Sequence, residues 1–136
     1  MADKMQFELV SPERLLMSEE VDMVVVPGAE GDFGVLAEHS PVISVVRSGT
    51  ITVFQGNDVS ERIFVAGGFA EVTADRCTVL AEQAEPVGDM DRSAVESQLA
   101  NLRDDLSAAA EADRPRIEGQ VEVAEAKLNA LDEQIY

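Results

Sequence analysis

The pattern of hydrophobic and polar positions divides the chain into two segments with different periods. Over residues 1 to about 87, apolar and polar positions alternate in short runs, as around Phe7 and Leu9. Turn formers such as Gly67-Gly68 separate these runs. Short runs rich in β-branched residues, punctuated roughly every 8–12 residues, are typical of an all-β sandwich or barrel. We therefore predict an antiparallel β-sandwich of about eight to ten short strands over residues 1–87, with Gly67-Gly68 as a sharp turn between two strands.

Beyond Pro86 the apolar positions recur every three or four residues. The first set contains Val95, Leu99, Leu102 and Leu106, and the second contains Ile117, Val121, Ala124, Leu128, Leu131 and Ile135. Such spacing places each set on one face of a helix. The joint between the two sets is too short for anything other than a hairpin. We therefore predict an antiparallel two-helix hairpin over residues 88–136.

The ends of these helices carry capping signals. Ser93 and Glu96 form a capping box at the start of the first helix, where Asp91 competes as the N-cap residue. Pro115 suits the first turn of the second helix, with Asp113 as its cap. Each helix has one narrow apolar stripe, so the stripes bury each other and leave little to dock elsewhere. We expect a weakly attached, movable arm.

The composition and net charge of the chain disfavour some classes of binding partner. Of 136 residues 46% are hydrophobic, so a core can form, but only 4% are aromatic and there is no Trp. The chain carries 10 basic and 27 acidic residues, a net charge of −17. A surface this negative repels nucleic-acid phosphates and anionic lipid headgroups. Nucleic acid and direct lipid binding are therefore disfavoured.

Three further features of the sequence indicate where in the cell the protein is found. Cys77 is the only cysteine, so no internal disulfide forms. The apolar runs are a few residues long, whereas a membrane span needs roughly 20. The first residues lack a basic region followed by an apolar stretch, so no signal peptide is visible. We expect a soluble intracellular protein.

Residues with catalytic potential are few. His39 lies between Glu38 and Ser40, but neighbours on an extended segment point to opposite faces, which favours a surface or interface histidine. Cys77 begins an apolar strand and is expected to be a buried thiol. One histidine without a cluster of ligands gives no metal site. We expect no catalytic site, no metal and no cofactor.

A glycine turn remains open to two interpretations. Gly28, Gly31 and Gly34 stand at every third position, and Glu30 and Asp32 lie between them. The acids, and the lack of a following Lys-Ser/Thr, argue against a phosphate cradle. The segment is either a tight turn that needs positive φ or an exposed acidic knuckle that meets a basic partner.

Several segments together resemble a known family. They are residues 7–13, residues 26–36 with the pattern G-x-x-G-x-x-G, residues 38–41 with H-x-P, and residues 65–72 with G-G-x-x-E-V. In this order and spacing they resemble the epsilon subunit of bacterial F-type ATP synthases, over essentially residues 5–85. The C-terminal hairpin matches that family in architecture more than in sequence.

The resemblance implies a ten-stranded β-sandwich followed by a helical hairpin, and a non-catalytic subunit of the central stalk. In that family the subunit joins gamma to the c ring during proton-driven ATP synthesis, as a peripheral part of F1 on the cytoplasmic face of the inner membrane. The hairpin can also reach the alpha and beta subunits. Those partners are therefore expected for this chain.

The resemblance also suggests contact residues. Asp32 falls on the acidic position of the family's glycine turn, which faces a basic loop of the c ring, and Glu30 and Gly31 accompany it. The positions that the family places against gamma are Ser11, His39, Ser40 and Ser44.

Two departures from the family concern the hairpin. Some members bind ATP through an Ile/Leu-Asp-x-x-Arg-Ala motif, of which this chain keeps Asp91 but has Ala94 at the arginine position. Arg92 and Arg103 are out of phase with it; for Arg92 the shift is about 200° around the helix. A nucleotide-sensing regulatory module, the alternative function, therefore retains only Asp91.

The second departure is charge. From Gly88 onward five basic residues stand against twelve acidic ones, a net charge of −7. The family's hairpin inhibits ATP hydrolysis partly by placing basic side chains on an acidic segment of the beta subunits. Like charges at an interface are destabilising. We predict that this hairpin inhibits hydrolysis weakly or not at all.

Overall fold

The computed structural model describes residues 4–132 as eight strands followed by two helices. The strands are β1 (Met5–Val10), β2 (Leu15–Val21), β3 (Met23–Gly28), β4 (Gly31–Leu36), β5 (Val42–Val45), β6 (Gly49–Gln55), β7 (Asp58–Val72) and β8 (Arg76–Pro86). The helices are α1 (Arg92–Ala108) and α2 (Arg114–Asp132). Ile135, the last residue of the second predicted stripe, lies outside the described residues. The predicted class, a β-sandwich followed by a two-helix hairpin, is confirmed.

The strands form two layers that share β7 and β8. Sheet I consists of β2, β1, the first part of β8, the last part of β7, and β5. Sheet II consists of the last part of β8, the first part of β7, β6, β3 and β4. Because both long strands serve both sheets, the eight strands supply ten strand segments. One pair departs from the predicted antiparallel order: β1 runs parallel to β8.

The two sheets meet at a bend in β7. Gly67 and Gly68 have φ angles of 68° and 130°, and a Cβ on Gly68 would lie 1.8 Å from the carbonyl oxygen of Leu80. The residues of β7 that face the core have odd numbers before this bend, as at Val65, and even numbers after it, as at Ala70. The predicted sharp turn between two strands at Gly67-Gly68 is therefore wrong, since these residues bend a single strand instead. Only residues without a side chain allow so close an approach of two backbones.

The sandwich core lies between the two sheets. Phe7 and Leu9 alternate with polar residues along β1 and are almost fully buried, as the sequence pattern predicts, and Met5 on the same face is buried with them. Cys77 is fully buried beside them, and burial raises the pKa of its thiol to about 12. The expectation of a buried cysteine is confirmed.

The helices pack antiparallel to each other. Arg92 near the start of α1 forms an ion pair with Asp132 at the end of α2, and Arg103 lies 3.6 Å from Glu125. Within the predicted stripes the buried residues are Val95, Leu99, Ile117 and Ala124.

The hairpin docks on the outer face of sheet II. Phe64 and Ala66 of β7 pack with Met90 and with Ala130 of α2, and Val123, Ala126 and Leu131 complete this contact. The expectation that each helix has only one apolar stripe is therefore wrong for α2. The second face of α2 consists mostly of small residues such as Ala126 and Ala130. Alanine is common on both exposed and buried faces of helices, so the hydrophobic pattern does not reveal this face.

Candidate partner-binding surfaces

The glycine turn links β3 to β4. Gly28 pairs with Gly31, so Ala29 and Glu30 form a two-residue turn. Gly31 has a φ of 139°, and a Cβ on Gly28 would lie 2.8 Å from the carbonyl oxygen of Gly31. Glu30, Gly31 and Asp32 are all exposed. The first interpretation is therefore confirmed, since the segment is a tight turn with a positive φ at Gly31. Its two acidic residues are also exposed, and their contact with a basic partner stays a prediction.

An arginine distant in sequence braces this turn. The Arg47 Nη2 lies 2.6 Å from Asp32 Oδ1, and Nη1 donates a hydrogen bond to the carbonyl oxygen of Gly28. The sequence analysis missed Arg47 because it stands 15 residues from Asp32. Only the folded topology brings it there.

The outer face of sheet I carries a row of apolar side chains, here called the apolar row. It consists of Val45, Phe69, Leu80, Val10 and Leu15, each the cross-strand neighbour of the next. Phe69 and Leu80 are 54% and 49% exposed, and Val45 and Leu15 are exposed to a similar degree. Contiguous exposed apolar surface of this kind marks an interaction site more often than scattered residues do.

A second row of outward-facing residues, polar except for Ile43, flanks the apolar row. The next level of the sheet carries Ile43, Glu71, Thr78 and Glu8, of which Ile43 is 73% exposed. Arg76 pairs with Glu8 at 2.7 Å. An apolar centre with a polar border is the usual anatomy of a protein interface.

Two of the four residues that are expected to contact the gamma subunit lie beside the apolar row. Ser11 follows β1, and with Val10, Phe69 and Leu80 it lines a shallow groove. Ser44 stands on β5 opposite the buried Ala70, and its hydroxyl donates to the carbonyl oxygen of Val45. Ser44 therefore faces the core side of its strand, whereas its neighbours Ile43 and Val45 face outward.

The other two lie at the opposite end of sheet I. His39 and Ser40 belong to the loop after β4, where the His39 Nδ1 lies 2.6 Å from the carbonyl oxygen of Ser40. Glu38 has a φ of 68°, and its N–H donates to Ala74 in the β7–β8 turn. The four residues thus lie at two ends of sheet I, with Ser44 on the core side of its strand.

The residues that a nucleotide site would need do not converge. The Asp91 carboxylate caps α1 by accepting a hydrogen bond from the Ser93 N–H, at 3.0 Å. Asp91, rather than the Ser93 and Glu96 box, is therefore the N-cap. Arg92 and Arg103 form ion pairs with α2. Asp91 thus serves as a helix cap, and both arginines lie in exposed ion pairs across the hairpin.

Residues 4–132 offer neither a metal cluster nor a spanning helix. Within this part of the chain, no three residues among His, Cys, Asp and Glu are grouped closely enough to hold a metal ion. Neither helix described here combines the length and apolar character needed to cross a bilayer.

Comparison with known proteins agrees with this architecture. The family model for the β-sandwich domain of the ATP synthase delta/epsilon chain matches residues 4–87. The chain therefore belongs to the ATP synthase delta/epsilon family. Within that family, relatives about half identical to this chain are epsilon chains of bacteria, which confirms the resemblance found in the sequence.

Two of these relatives are similar along nearly their whole length. The ATP synthase epsilon chain of Rhodospirillum centenum is 51% identical over 98% of this chain and 96% of its own. That of Paramagnetospirillum magneticum is 51% identical over 96% of this chain and 99% of its own.

Solved structures share the fold. A chain of the Euglena gracilis mitochondrial ATP synthase, in a structure of OSCP, F1 and the c-ring, superposes with a TM-score of 0.84 at 23% identity. The match covers 96% of this chain and 83% of that one. A chain of the Tetrahymena thermophila central stalk and c-ring gives 0.62 at 13% identity, over 96% and 98%.

Proposed function

We propose that this chain is a rotor subunit of the central stalk, which joins gamma to the c ring during proton-driven ATP synthesis. The apolar row on sheet I is the observation that carries this proposal. A monomeric protein gains nothing from a half-exposed Phe69 beside a half-exposed Leu80. Covered by a partner, the same side chains supply the apolar centre of a durable contact.

The apolar row is the surface we assign to gamma. Ser11 lies beside it, and Ser44 lies on the edge strand that contributes Val45. His39 and Ser40 form its distant border. Stable protein interfaces bury on the order of 800 Å² per partner. The outer face of sheet I, from the Ser11 groove to the His39 loop, offers a surface for such a contact.

The acidic turn is the surface we assign to the c ring. Glu30 and Asp32 present carboxylates on either side of Gly31, at a tip that is open to solvent. Carboxylates in this position suit a basic loop because complementary charge fixes orientation and speeds encounter. The net charge of −17 disfavours direct contact with anionic lipid. The subunit would then reach the cytoplasmic face of the inner membrane only as part of the complex.

The hairpin has a weak regulatory role in this proposal. Its net charge of −7 opposes contact with an acidic segment of the beta subunits. Asp91 caps a helix, and both nearby arginines bind α2. These contacts argue against the alternative function, a nucleotide-sensing module.

Replacing the centre of the apolar row tests the assignment to gamma. The double variant Phe69→Ser with Leu80→Ser removes two large apolar side chains, each worth about 1.5–3 kcal/mol when buried. We expect the affinity for gamma to fall by roughly 100-fold or more. Co-purification with gamma from native membranes and titration of the two purified subunits measure this loss.

The matched control is Leu36→Ser. Leu36 is 55% exposed but lies on β4 in sheet II, outside the apolar row. Its replacement is expected to leave gamma binding unchanged. Full affinity in the double variant would overturn the assignment.

A further inference from the structure

The segment that connects β5 to β6 crosses between the two sheets. Val45, the last residue of β5, accepts a hydrogen bond from the Ala29 N–H at 2.9 Å. Arg47, within the connection, donates from its N–H to the carbonyl oxygen of Pro27, also at 2.9 Å. Between them the Val46 N–H donates to Gly68 at 3.0 Å. Three consecutive residues therefore fasten the acidic turn to the bend of β7.

The Arg47 side chain adds two more hydrogen bonds to the same turn. Nη1 donates to Gly28, the last residue of β3, at 2.5 Å, and Nη2 donates to Asp32 of β4 at 2.6 Å. The planar guanidinium therefore bridges both arms of the turn. A lysine ammonium is a point charge without this fork, so it cannot reproduce the geometry.

We propose that Arg47 is a positioning residue that holds the acidic turn in the orientation in which it meets the c ring. This inference rests on the proposed function. Arg47 also forms an ion pair with Asp32, whose carboxylate stays 34% exposed beside the solvent-facing Glu30. Its side chain is 44% exposed, and an ion pair so close to water contributes little stability by charge alone. Its effect is therefore on the conformation of the turn.

The same segment also reaches the surface assigned to gamma. The Val45 side chain belongs to the apolar row, while its carbonyl oxygen binds the turn. A stretch of three residues therefore connects the two surfaces. Arg47 fixes the end of that stretch.

Hydrogen exchange of the full-length subunit tests the positioning without any partner. We compare Arg47→Gln and Arg47→Lys with Arg116→Gln, which removes an exposed arginine from α2. The Ala29 amide reports on the turn because it donates to Val45. We expect its exchange to become about tenfold faster in Arg47→Gln. Arg47→Lys should show an intermediate increase and Arg116→Gln none. Unchanged circular dichroism shows that the variants remain folded.

Photocrosslinking in the assembled ATP synthase tests the consequence for assembly. A benzophenone maleimide is attached to Ala29→Cys at the exposed tip. Cys77 is fully buried and escapes labelling. We expect an adduct with the c subunit whose yield falls about fivefold when Arg47→Gln is added. Arg116→Gln should leave the yield unchanged.

The outcomes separate the two ideas. Absence of a c-subunit adduct with native Arg47 would overturn the proposed contact with the c ring, and the exchange rates alone would then decide whether Arg47 positions the turn. An unchanged exchange rate in Arg47→Gln would overturn the positioning role. Faster exchange with an unchanged adduct yield would also overturn the inference, since the turn would then not need Arg47 for its contact.

Discussion

The Nζ of Lys127 lies 5.9 Å from the centre of the Phe64 ring and 3.8 Å from the Glu85 carboxylate. One side chain of α2 therefore touches two strands of sheet II, β7 through Phe64 and β8 through Glu85. The Lys127 side chain is only 17% exposed, so its aliphatic stem covers apolar surface while its charge sits over the ring.

This contact predicts that Lys127→Ala loosens the docked hairpin. Loss of the cation–π contact and of the partly buried ion pair should cost about 1 kcal/mol, or roughly a fivefold rise in the undocked population. The methyl NMR signals of Ala66 and Ala130, both buried at the contact, report on docking. Arg116→Ala on the same helix is the control. Unchanged signals in Lys127→Ala would show that packing alone holds the hairpin.

A second prediction concerns hydrolysis of ATP by the complete complex. Truncation after Gly88 removes a hairpin with a net charge of −7, which is poorly suited to an acidic partner surface. We expect the hydrolysis rate to stay the same within about twofold. A several-fold activation on truncation would show that the hairpin is a strong inhibitor after all.

The bend of β7 predicts a large loss of stability in Gly68→Ala. The added Cβ would lie 1.8 Å from the Leu80 carbonyl oxygen, at a φ of 130° that an alanine rarely adopts. We expect a loss of about 2–4 kcal/mol in the free energy of unfolding, measured by denaturant titration. A loss below about 1 kcal/mol would mean that the two strands separate easily at the bend.

Gly119→Ala should have the opposite effect. Gly119 lies within α2, a Cβ added there would meet no atom within 4 Å, and its φ is not positive. Alanine lowers the entropy of the unfolded chain and favours the helix, so we expect a gain of about 0.5–1 kcal/mol. Thermal unfolding measures it. A destabilised variant would indicate that another surface packs on this position.

The loop that holds His39 predicts a third effect on stability. Glu38 adopts a φ of 68°, which costs a residue with a Cβ about 1–2 kcal/mol. Glu38→Gly should relieve that cost and, after the entropy lost by glycine, stabilise the fold by up to about 1 kcal/mol. Glu38→Ala is the matched control, because it removes the carboxylate but keeps the Cβ. If both variants change stability equally, the charge rather than the backbone is responsible.

The periodicity of the sequence predicted the two halves of the fold but not how the layers connect. Alternation along β1 identified Phe7 and Leu9 as core residues, and the pattern of three and four identified both helices. The same signals could not show that Gly67 and Gly68 bend a continuous strand, because a glycine pair is equally typical of a turn between strands. Which of the two occurs depends on the approach of Leu80 from another strand.

The candidate surfaces were predicted only in part. Glu30 and Asp32 were found because glycine spacing defines a turn locally. Phe69 and Leu80 were missed since an alternating strand carries the same pattern whether its apolar side faces the core or a partner. Arg47 was missed for a different reason, as its role arises from a contact across the fold.

The continuity of β7 and β8 through both layers has a mechanical consequence. Because β7 and β8 each run through both layers, no layer can slide over the other without stretching covalent backbone and rupturing the ladder between these strands. A load on one broad side of the sandwich is therefore carried to the opposite side by continuous backbone as well as by side-chain packing.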